Sequence, residues 1–253
     1  TAPDAQAAWD GVRAALARGA APILSTDLAE LPYWCTRTPF GGHRVVLAGE
    51  VPERRAALVA DTDRPGLEEV ALDVLDRARA SIAPPFGRPG RPWLEVDAPP
   101  VTRPLGEAIR DALKRQARDM LLPQDGFAGV SAIERFAEEL PGWPAQARDE
   151  ADRAWCLRYA YQVVEKRGTG GGLFRTLYAS FLEEAEAALP VLAHLGLAAR
   201  ARELAARWTS LALALREVGD APGAAVSADV AAQARALATA ERAFHEDVAA
   251  RVP

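Results

Sequence analysis

Hydrophobic and polar positions alternate with two different periodicities along the first quarter of the chain. Near the N-terminus the apolar residues fall on one helical face and stop before Gly19, which predicts a helix over residues 3–18. Three short apolar runs rich in strand-forming residues follow, at residues 22–28, 43–51 and 55–62. Because the turn-like residues Pro52 and Glu53 separate the last two runs, we expect two adjacent strands there.

In the rest of the chain the apolar residues recur with helical periodicity, which one proline-rich passage interrupts. Residues 67–80 form an amphipathic pattern that predicts a helix, and residues 83–104 then contain seven prolines. Beyond this passage the pattern predicts further helices, at residues 105–122, 127–140, 145–166, 172–189, 191–217 and 225–250. We therefore predict an α+β fold, with a β-containing domain over residues 1–82 and an all-α helical bundle over residues 83–253.

The last two predicted helices are rich in alanine and carry narrow apolar stripes, which suit close antiparallel packing. The stripes are formed by Leu204, Trp208, Leu211 and Leu215, and by Val230, Ala234, Leu237 and Phe244. Such stripes pack against a second copy of the chain as readily as within one chain, so a homo-oligomer is one possible outcome.

Composition narrows the classes of function. The 253 residues are 49% hydrophobic, enough to bury a core, and the net charge of −5 disfavours nucleic acid and anionic membrane surfaces as partners. No run approaches 18 uninterrupted apolar residues, and the N-terminus lacks a signal-peptide core, so we expect no membrane span and no export. Two widely separated cysteines suggest neither a metal site nor disulfide staples, and a reducing cytoplasm fits best.

Two glycines place His43 at the start of the second predicted strand, in the string PFGGHRVVLAGE. A ring at this position can face a cleft while the apolar strand anchors its backbone, which suits a general base. Asp61 ends the next strand, so a hairpin between the two strands brings its carboxylate to the imidazole. Asp63, two residues further on the same strand face, is the alternative to Asp61. Spacing alone favours an ordinary strand-end histidine and an Asx-type turn before Pro65.

A cysteine nucleophile to accompany His43 is not evident in the pattern. A catalytic thiolate usually lies at a helix N-terminus, where the helix dipole lowers its pKa. Cys35 lies in a loop only eight residues before the histidine, and Cys156 lies inside an amphipathic helix. We interpret both as structural residues, because free cysteine behaves mostly as a small hydrophobic side chain.

A glycine-rich segment precedes the helix predicted at residues 172–189, in the string EKRGTGGGLFR. Open backbone N–H groups at a helix start, flanked by basic side chains, can hold a phosphate or a carboxylate. The candidate binding residues are Lys166, Arg167, Gly170, Gly171 and Arg175. The segment is not a P-loop or a dinucleotide fingerprint, because no Gly-Lys-Ser/Thr follows it and a helix precedes it. A tightly packed turn between two helices is the alternative.

The remaining histidines and an acidic run are weaker candidates. His194 and His245 stand alone on alanine-rich helices and are interpreted as surface or packing residues. Glu183, Glu184 and Glu186 lack a histidine at metal-binding spacing, so we expect a solvated helix face. We predict neither a metal nor a cofactor.

Four strings together resemble a known family: LSTDLAELPYW, FGGHRVVLAGE, LVADT and, most specifically, GTGGGLFRTLYASFLEEA. They occur in the order found in the butirosin-biosynthesis-protein-H-like proteins, in which a papain-like, C39-peptidase-like domain precedes a helical domain. The resemblance implies that residues 1–82 are the C-terminal half of a papain-like domain and that residues 83–253 are the helical domain.

The resemblance also implies a cysteine acyltransferase or amide-forming enzyme of secondary-metabolite biosynthesis, with an acyl carrier protein and a small-molecule amine as partners. His43 matches the family's general base and Asp61 its orienting acid, whereas the family's cysteine lies upstream in a region that this sequence does not contain. We therefore expect a Cys-His-Asp site whose thiol comes from elsewhere. The alternative is a non-catalytic binding module, in which the glycine-rich segment grips an anionic or carrier-protein-linked ligand.

Overall fold

A computed structural model describes residues 4–62, 64–84, 86–96, 100, 102–122 and 126–253. The chain forms two compact units, Thr1–Val101 and Thr102–Pro253. The first holds a sheet with helices and the second is helical, so the predicted α+β class is confirmed. The division falls inside the proline-rich passage, close to its end, and residues 83–101 therefore lie with the first unit.

The first unit is built on a five-stranded antiparallel sheet in the order β4-β3-β2-β1-β5. Its described helices and strands are α1 (Ala5–Ala17), β1 (Ile23–Thr26), β2 (His43–Val51), β3 (Ala56–Ala60), β4 (Glu68–Ala71), α2 (Leu72–Ala80) and β5 (Trp93–Leu94). Short 3₁₀ turns cover Leu28–Glu30, Pro32–Trp34 and Pro52–Arg54. The last of these turns joins β2 to β3, so the two strands expected to be adjacent do pair.

One row of side chains along β2 and β3 connects the core to the functional residues. Val45, Leu47 and Val59 are fully buried, and Leu47 pairs with Val59 across the two strands. Because side chains on one face of a strand recur every second residue, His43 and Asp61 extend this buried row at the strand ends. The core therefore holds the backbone on both sides of these two residues.

One prediction for the first unit was wrong in detail, and one strand was not predicted. The helix predicted at residues 67–80 begins as strand β4, in which Val70 is buried and pairs with Ala57 of β3. Its apolar positions fit a helical stripe as well as an edge strand, and pairing with the free edge of β3 decides in favour of the strand. No strand was predicted in the proline-rich passage, and β5 lies there and pairs with β1. A strand of two residues leaves no periodic signal.

The second unit contains helices of very different length. Its described helices are α3 (Leu105–Leu121), α4 (Gly129–Glu139), α5 (Trp143–Gln146), α6 (Glu150–Glu165), α7 (Arg175–Ala188), α8 (Pro190–Ala193), α9 (Leu197–Asp220) and α10 (Ala228–Arg251), with a 3₁₀ turn at Leu140–Gly142. The helix predicted at residues 145–166 is two helices, since Asp149 caps a new start by accepting a hydrogen bond from the Asp152 N–H. Among the residues described, no helix is both long and apolar enough to cross a membrane.

The apolar stripes of α9 and α10 are buried within the helical unit. All eight stripe residues are at most 8% exposed, and α10 packs against α3, α4 and α9. Both stripes thus pack inside one chain. Packing within one chain and packing against a second copy were the two expected outcomes. A homo-oligomer of this protein stays a prediction.

Candidate functional site

The backbone before His43 is shaped by glycine and by the proline-rich passage. Gly41 has no room for a side chain, because an added Cβ would stand 2.2 Å from the Ala83 carbonyl oxygen and 2.6 Å from the Cα of Gly87. The N–H of Gly41 also donates to the carbonyl oxygen of Pro84 at 3.3 Å. Residues of the proline-rich passage therefore pack directly on the loop that leads into His43, a contact that the sequence pattern did not indicate.

A buried aspartate ties the same loop to the rest of the unit. Asp27 accepts hydrogen bonds from the Phe40 N–H at 2.9 Å, the Ala29 N–H at 3.0 Å and the Ser81 hydroxyl at 2.7 Å. Burial raises the pKa of the Asp27 carboxyl, but these donors outweigh burial and leave the pKa below its ordinary value. Asp27 thereby links the end of β1, the end of α2 and the loop before His43.

The structure brings His43 and Asp61 into direct contact. Nε2 of His43 lies 2.8 Å from each carboxylate oxygen of Asp61. The Asp61 side chain is fully buried, whereas the His43 side chain is 12% exposed. Nδ1 of His43 makes no hydrogen bond in the described part of the chain and is not a buried atom there. Nε2 thus contacts the carboxylate, whereas Nδ1 is accessible and makes no hydrogen bond within the described residues.

Two aromatic donors complete the surroundings of Asp61. The Tyr33 hydroxyl donates to Oδ2 at 2.7 Å and the Trp34 indole N–H donates to the same oxygen at 2.9 Å. The N–H of Thr62 donates to Oδ1 at 2.7 Å. Burial raises the pKa of Asp61, but the donors from Tyr33, His43 and Trp34 lower it by more, and the net pKa is below its ordinary value. Asp61 is therefore an ionised carboxylate at neutral pH.

Arg64 holds the two aromatic residues in place. Its guanidinium lies 5.2 Å from the Tyr33 ring centre and 4.8 Å from that of Trp34, and it donates to the Tyr33 carbonyl oxygen at 2.7 Å. The Trp34 ring meets the His43 ring edge-on, with centres 5.6 Å apart. Nothing in the local spacing pointed to Tyr33, Trp34 or Arg64, because all three come from loops without periodicity.

The chemistry available to this arrangement follows from the protonation of the ring. An ionised Asp61 at Nε2 favours the tautomer with its proton on Nε2, which leaves Nδ1 as a proton acceptor. When Nδ1 takes a proton, the buried carboxylate stabilises the imidazolium. The pair can therefore orient a base and stabilise its charged form, which are two of the three roles in nucleophilic catalysis.

Neither cysteine forms a hydrogen bond with His43. Cys35 follows the Pro32–Trp34 turn in a left-handed conformation, is exposed, and has its Sγ 3.5 Å from the Pro32 carbonyl oxygen. Cys156 is an exposed residue on α6, where partial burial of its thiol and the nearby Asp152 raise the thiol pKa. A raised pKa is the opposite of what a nucleophilic thiolate needs. Asp63, the alternative orienting acid, lies outside the described residues.

The glycine-rich segment folds back onto the end of α6. The Thr169 hydroxyl donates to the Val164 carbonyl oxygen at 2.7 Å, and the Leu173 N–H donates to the same carbonyl group at 3.0 Å. The Gly172 N–H donates to Oε1 of Glu165 at 3.1 Å, and the Phe174 N–H donates to the Thr169 carbonyl oxygen at 3.1 Å. Part of its backbone is thus used internally, as expected of a packed turn between helices.

Two of the five predicted binding residues of this segment already hold other side chains. Arg167 donates to Oε1 of Gln162 at 2.8 Å, and Arg175 is held by Glu241 at 2.7 Å. Lys166 is exposed and makes no ion pair within the described ranges, and Gly170 and Gly171 have φ values of +67° and +84°. Their role in binding an anion stays a prediction, in which Lys166 is the basic side chain that is not already engaged.

Two further observations concern the histidines and metals. His194 is exposed, whereas His245 is buried beside Glu241 on α10. The spacing of four residues between Glu241 and His245 was visible in the sequence, but it did not show that both are buried. In the stretches of chain that are described, no three histidine, cysteine or acidic side chains are grouped as a metal site.

Fold and site together define an α+β protein that carries an oriented histidine–aspartate pair. Residues 73–248 match the family model described as "Domain of unknown function (DUF4872)", and the chain belongs to that family. Residues 1–62 match the model described as "Butirosin biosynthesis protein H, N-terminal". Together they support the expected relationship to butirosin-biosynthesis-protein-H-like proteins, while the papain-like architecture stays a prediction. No curated protein matches the chain.

Proposed function

We propose that this protein takes part in cysteine-dependent acyl transfer, in which His43 is the general base and Asp61 orients it. The observation that carries the proposal is the contact of Nε2 with a buried, ionised carboxylate while Nδ1 stays open. The family description matched by residues 1–62 supports a place in antibiotic biosynthesis. An acyl carrier protein as donor and a small-molecule amine as acceptor are the partners proposed, in the cytoplasm.

The proposed reaction has two halves. A cysteine thiol gives its proton to Nδ1 of His43 and attacks the carrier-protein thioester, so that an acyl-cysteine forms and the carrier thiol leaves with the proton. An amine then attacks the acyl-cysteine, His43 accepts a proton from it, and the enzyme thiol is released as the amide forms. With water in place of the amine, the same steps hydrolyse the acyl group. We assign the nucleophile to a cysteine outside this sequence.

The test is to trap the acyl-cysteine. The full-length gene product is incubated with acyl-loaded carrier protein and its mass is measured intact. The unmodified protein is expected to gain one acyl group, and His43→Ala is expected to gain it at least a hundredfold more slowly. His194→Ala removes an exposed histidine and serves as the matched control, with the unmodified rate expected. Equal rates for the unmodified protein and His43→Ala would refute the base assignment.

A non-catalytic binding module is the second candidate, and the absence of any hydrogen bond between His43 and either cysteine in the described chain favours it. This module would hold a carrier-protein-linked or other anionic ligand through the glycine-rich segment. It predicts that loaded carrier protein binds without ever transferring its acyl group. It also predicts that Lys166→Ala weakens this binding while His43→Ala does not. Acyl transfer from the unmodified protein would exclude the module.

A further inference from the structure

A mostly apolar cavity of about 190 Å³ with a few polar groups lies in the helical unit, among α3, α7, α9 and α10. The lining residues that matter here are Gln116, Arg175, Tyr178, Glu241, Phe244 and His245. A water molecule takes up roughly 30 Å³ of liquid, so the cavity is larger than one water needs. It is formed within the helical unit alone and shares no residue with the His43 pair.

One oxygen of the buried carboxylate at this cavity is fully paired. Oε1 of Glu241 accepts hydrogen bonds from Nε of Arg175 and from the indole N–H of Trp208, both at 2.7 Å. The guanidinium of Arg175 also donates to the carbonyl oxygen of Leu173 at 2.7 Å. These contacts join α7, α9 and α10. Oε1 of Glu241 therefore has a structural role.

The other oxygen has the imidazole of His245 as a neighbour at ion-pair distance, but it accepts no hydrogen bond in the described chain. The side chains of Glu241 and His245 are 0% and 3% exposed. Oε2 of Glu241 has no hydrogen-bond partner in the described chain, and neither has Nδ1 of His245. Nε2 of His245 stands 3.4 Å from Oε2 without forming a hydrogen bond. Buried polar atoms without partners are uncommon and cost free energy, so two of them at one cavity indicate a missing donor.

The negative charge of the carboxylate favours a cationic donor, such as an ammonium group, over a neutral one. Burial raises the pKa of Glu241, but the imidazole of His245, the charge of Arg175 and the indole of Trp208 outweigh burial and lower it to about 2. Glu241 is therefore ionised, and Arg175 is engaged on the opposite oxygen. A carboxylate oxygen can only accept hydrogen bonds, and an ammonium group can only donate them.

The walls of the cavity suit an ammonium group as well. Phe244 lies edge-on to His245, with ring centres 5.1 Å apart, and to Tyr178, with ring centres 6.1 Å apart. The Tyr178 hydroxyl donates to Oε1 of Gln116 at 3.1 Å, which leaves its own lone pairs free to accept. Aromatic rings and oxygen acceptors around one carboxylate are a common environment for amine ligands.

We propose that this cavity binds a small primary amine whose ammonium group donates to Oε2 of Glu241, with His245 and Tyr178 as the neighbouring acceptors. The site is independent of the acyl-transfer proposal. Its main competitor is a small carboxylate, which would use the remaining N–H groups of Arg175 and Gln116 instead.

Calorimetric titration of the full chain with n-propylamine and, separately, with propionate distinguishes the two ligands. Saturable binding of one propylamine per chain is expected, with affinity at least tenfold higher than for propionate. No heat with propylamine would mean that the cavity holds water only, and tighter binding of propionate would mean an anion site. Either result overturns the proposal, and neither bears on acyl transfer by His43.

Two variants test whether the ligand is bound where the geometry places it. His245→Phe fills the same space and leaves the bonds of Glu241 to Arg175 and Trp208 in place, and it should weaken propylamine binding at least tenfold. His194→Phe, at an exposed histidine, is the matched control and should bind as the unmodified protein does. If circular dichroism shows that His245→Phe is unfolded, Glu241→Gln takes its place with the same expectation. Unchanged binding in a folded variant refutes the site.

Discussion

Asp61 is a fully buried carboxylate whose oxygens accept hydrogen bonds from Tyr33, Trp34, His43 and the Thr62 backbone. A buried charge is stable only when such partners replace water. Removing one partner leaves the charge of the carboxylate partly uncompensated. The sequence offered the contact with His43 as a candidate, although spacing alone favoured an ordinary strand-end histidine. It could not indicate Tyr33 or Trp34, whose positions depend on how the loop before β2 folds over the sheet edge.

Asp61→Asn tests the orienting role. The amide keeps the shape of the carboxylate but not its charge, so it no longer stabilises the imidazolium. We expect acyl transfer to fall by about 10²–10⁴-fold with the fold intact. The rate is followed by the mass of the acyl-enzyme. Asp73→Asn changes a 75% exposed aspartate and is the control. An Asp61→Asn protein that transfers acyl groups at the unmodified rate would show that the carboxylate is structural.

Tyr33→Phe tests the role of the hydroxyl group that donates a hydrogen bond to Asp61. Loss of the hydroxyl removes one of the donors that hold the pKa of Asp61 down, and it leaves Oδ2 of the buried carboxylate with Trp34 and His43 as its remaining partners. The free energy of unfolding should fall by about 1–3 kcal/mol, as measured by urea denaturation. Tyr159→Phe, at a partly exposed tyrosine on α6, should change it by less than about 0.5 kcal/mol. Equal effects of the two substitutions would contradict the assigned role.

Strand β2 illustrates how an element is positioned by a segment far from it in sequence. His43 begins β2, and the loop before it packs through Gly41 against Ala83, Pro84 and Gly87. The turn-rich composition of the proline-rich passage predicted a boundary between domains. Its contact with Gly41 has no local sequence signal, because it depends on where the passage returns to the sheet.

Gly41→Ala tests this packing at the level of the element. The added Cβ would meet backbone atoms of Ala83 and Gly87 well inside van der Waals contact, so the loop must move. We expect a loss of about 1–3 kcal/mol in unfolding free energy. Gly49→Ala is the matched control, because nothing lies within 4 Å of its added Cβ. A new chemical shift for the His43 ring in Gly41→Ala alone would confirm that the passage positions the base.

The helical unit adds a prediction for the whole molecule, because its buried acid ties three helices together. Glu241 has an ordinary pKa of 4.5 when unfolded and about 2 when folded. The unfolded chain therefore binds a proton that the folded chain does not, so this contribution is present above about pH 4.5 and is lost as the pH falls toward 2. Asp27 and Asp61, whose pKa values are also lowered, act in the same direction.

Acid titration of stability measures this linkage. The unmodified protein should lose unfolding free energy steadily between pH 5 and pH 3, and Glu241 should account for at most roughly 3 kcal/mol of the loss. Glu241→Gln cannot ionise, so the difference in stability between it and the unmodified protein should shrink as the pH falls. Glu184→Gln, on an exposed face of α7, should run parallel to the unmodified protein. A pH-independent difference for Glu241→Gln would contradict the lowered pKa.

The sequence by itself determined the α+β class, the main helices and the paired strands β2 and β3, because these follow from periodicity and turn residues close together in the chain. It also offered His43 and Asp61 as a candidate pair at the ends of neighbouring strands, and the family resemblance rather than the spacing favoured a catalytic role for them. Only the tertiary structure decided that strand β4 replaces the start of a predicted helix and that two aromatic donors complete Asp61. The pairing of Arg175 with Glu241, 66 residues apart, was decided in the same way. Such contacts depend on which faces of distant elements meet. The local spacing of residues does not determine which faces these are.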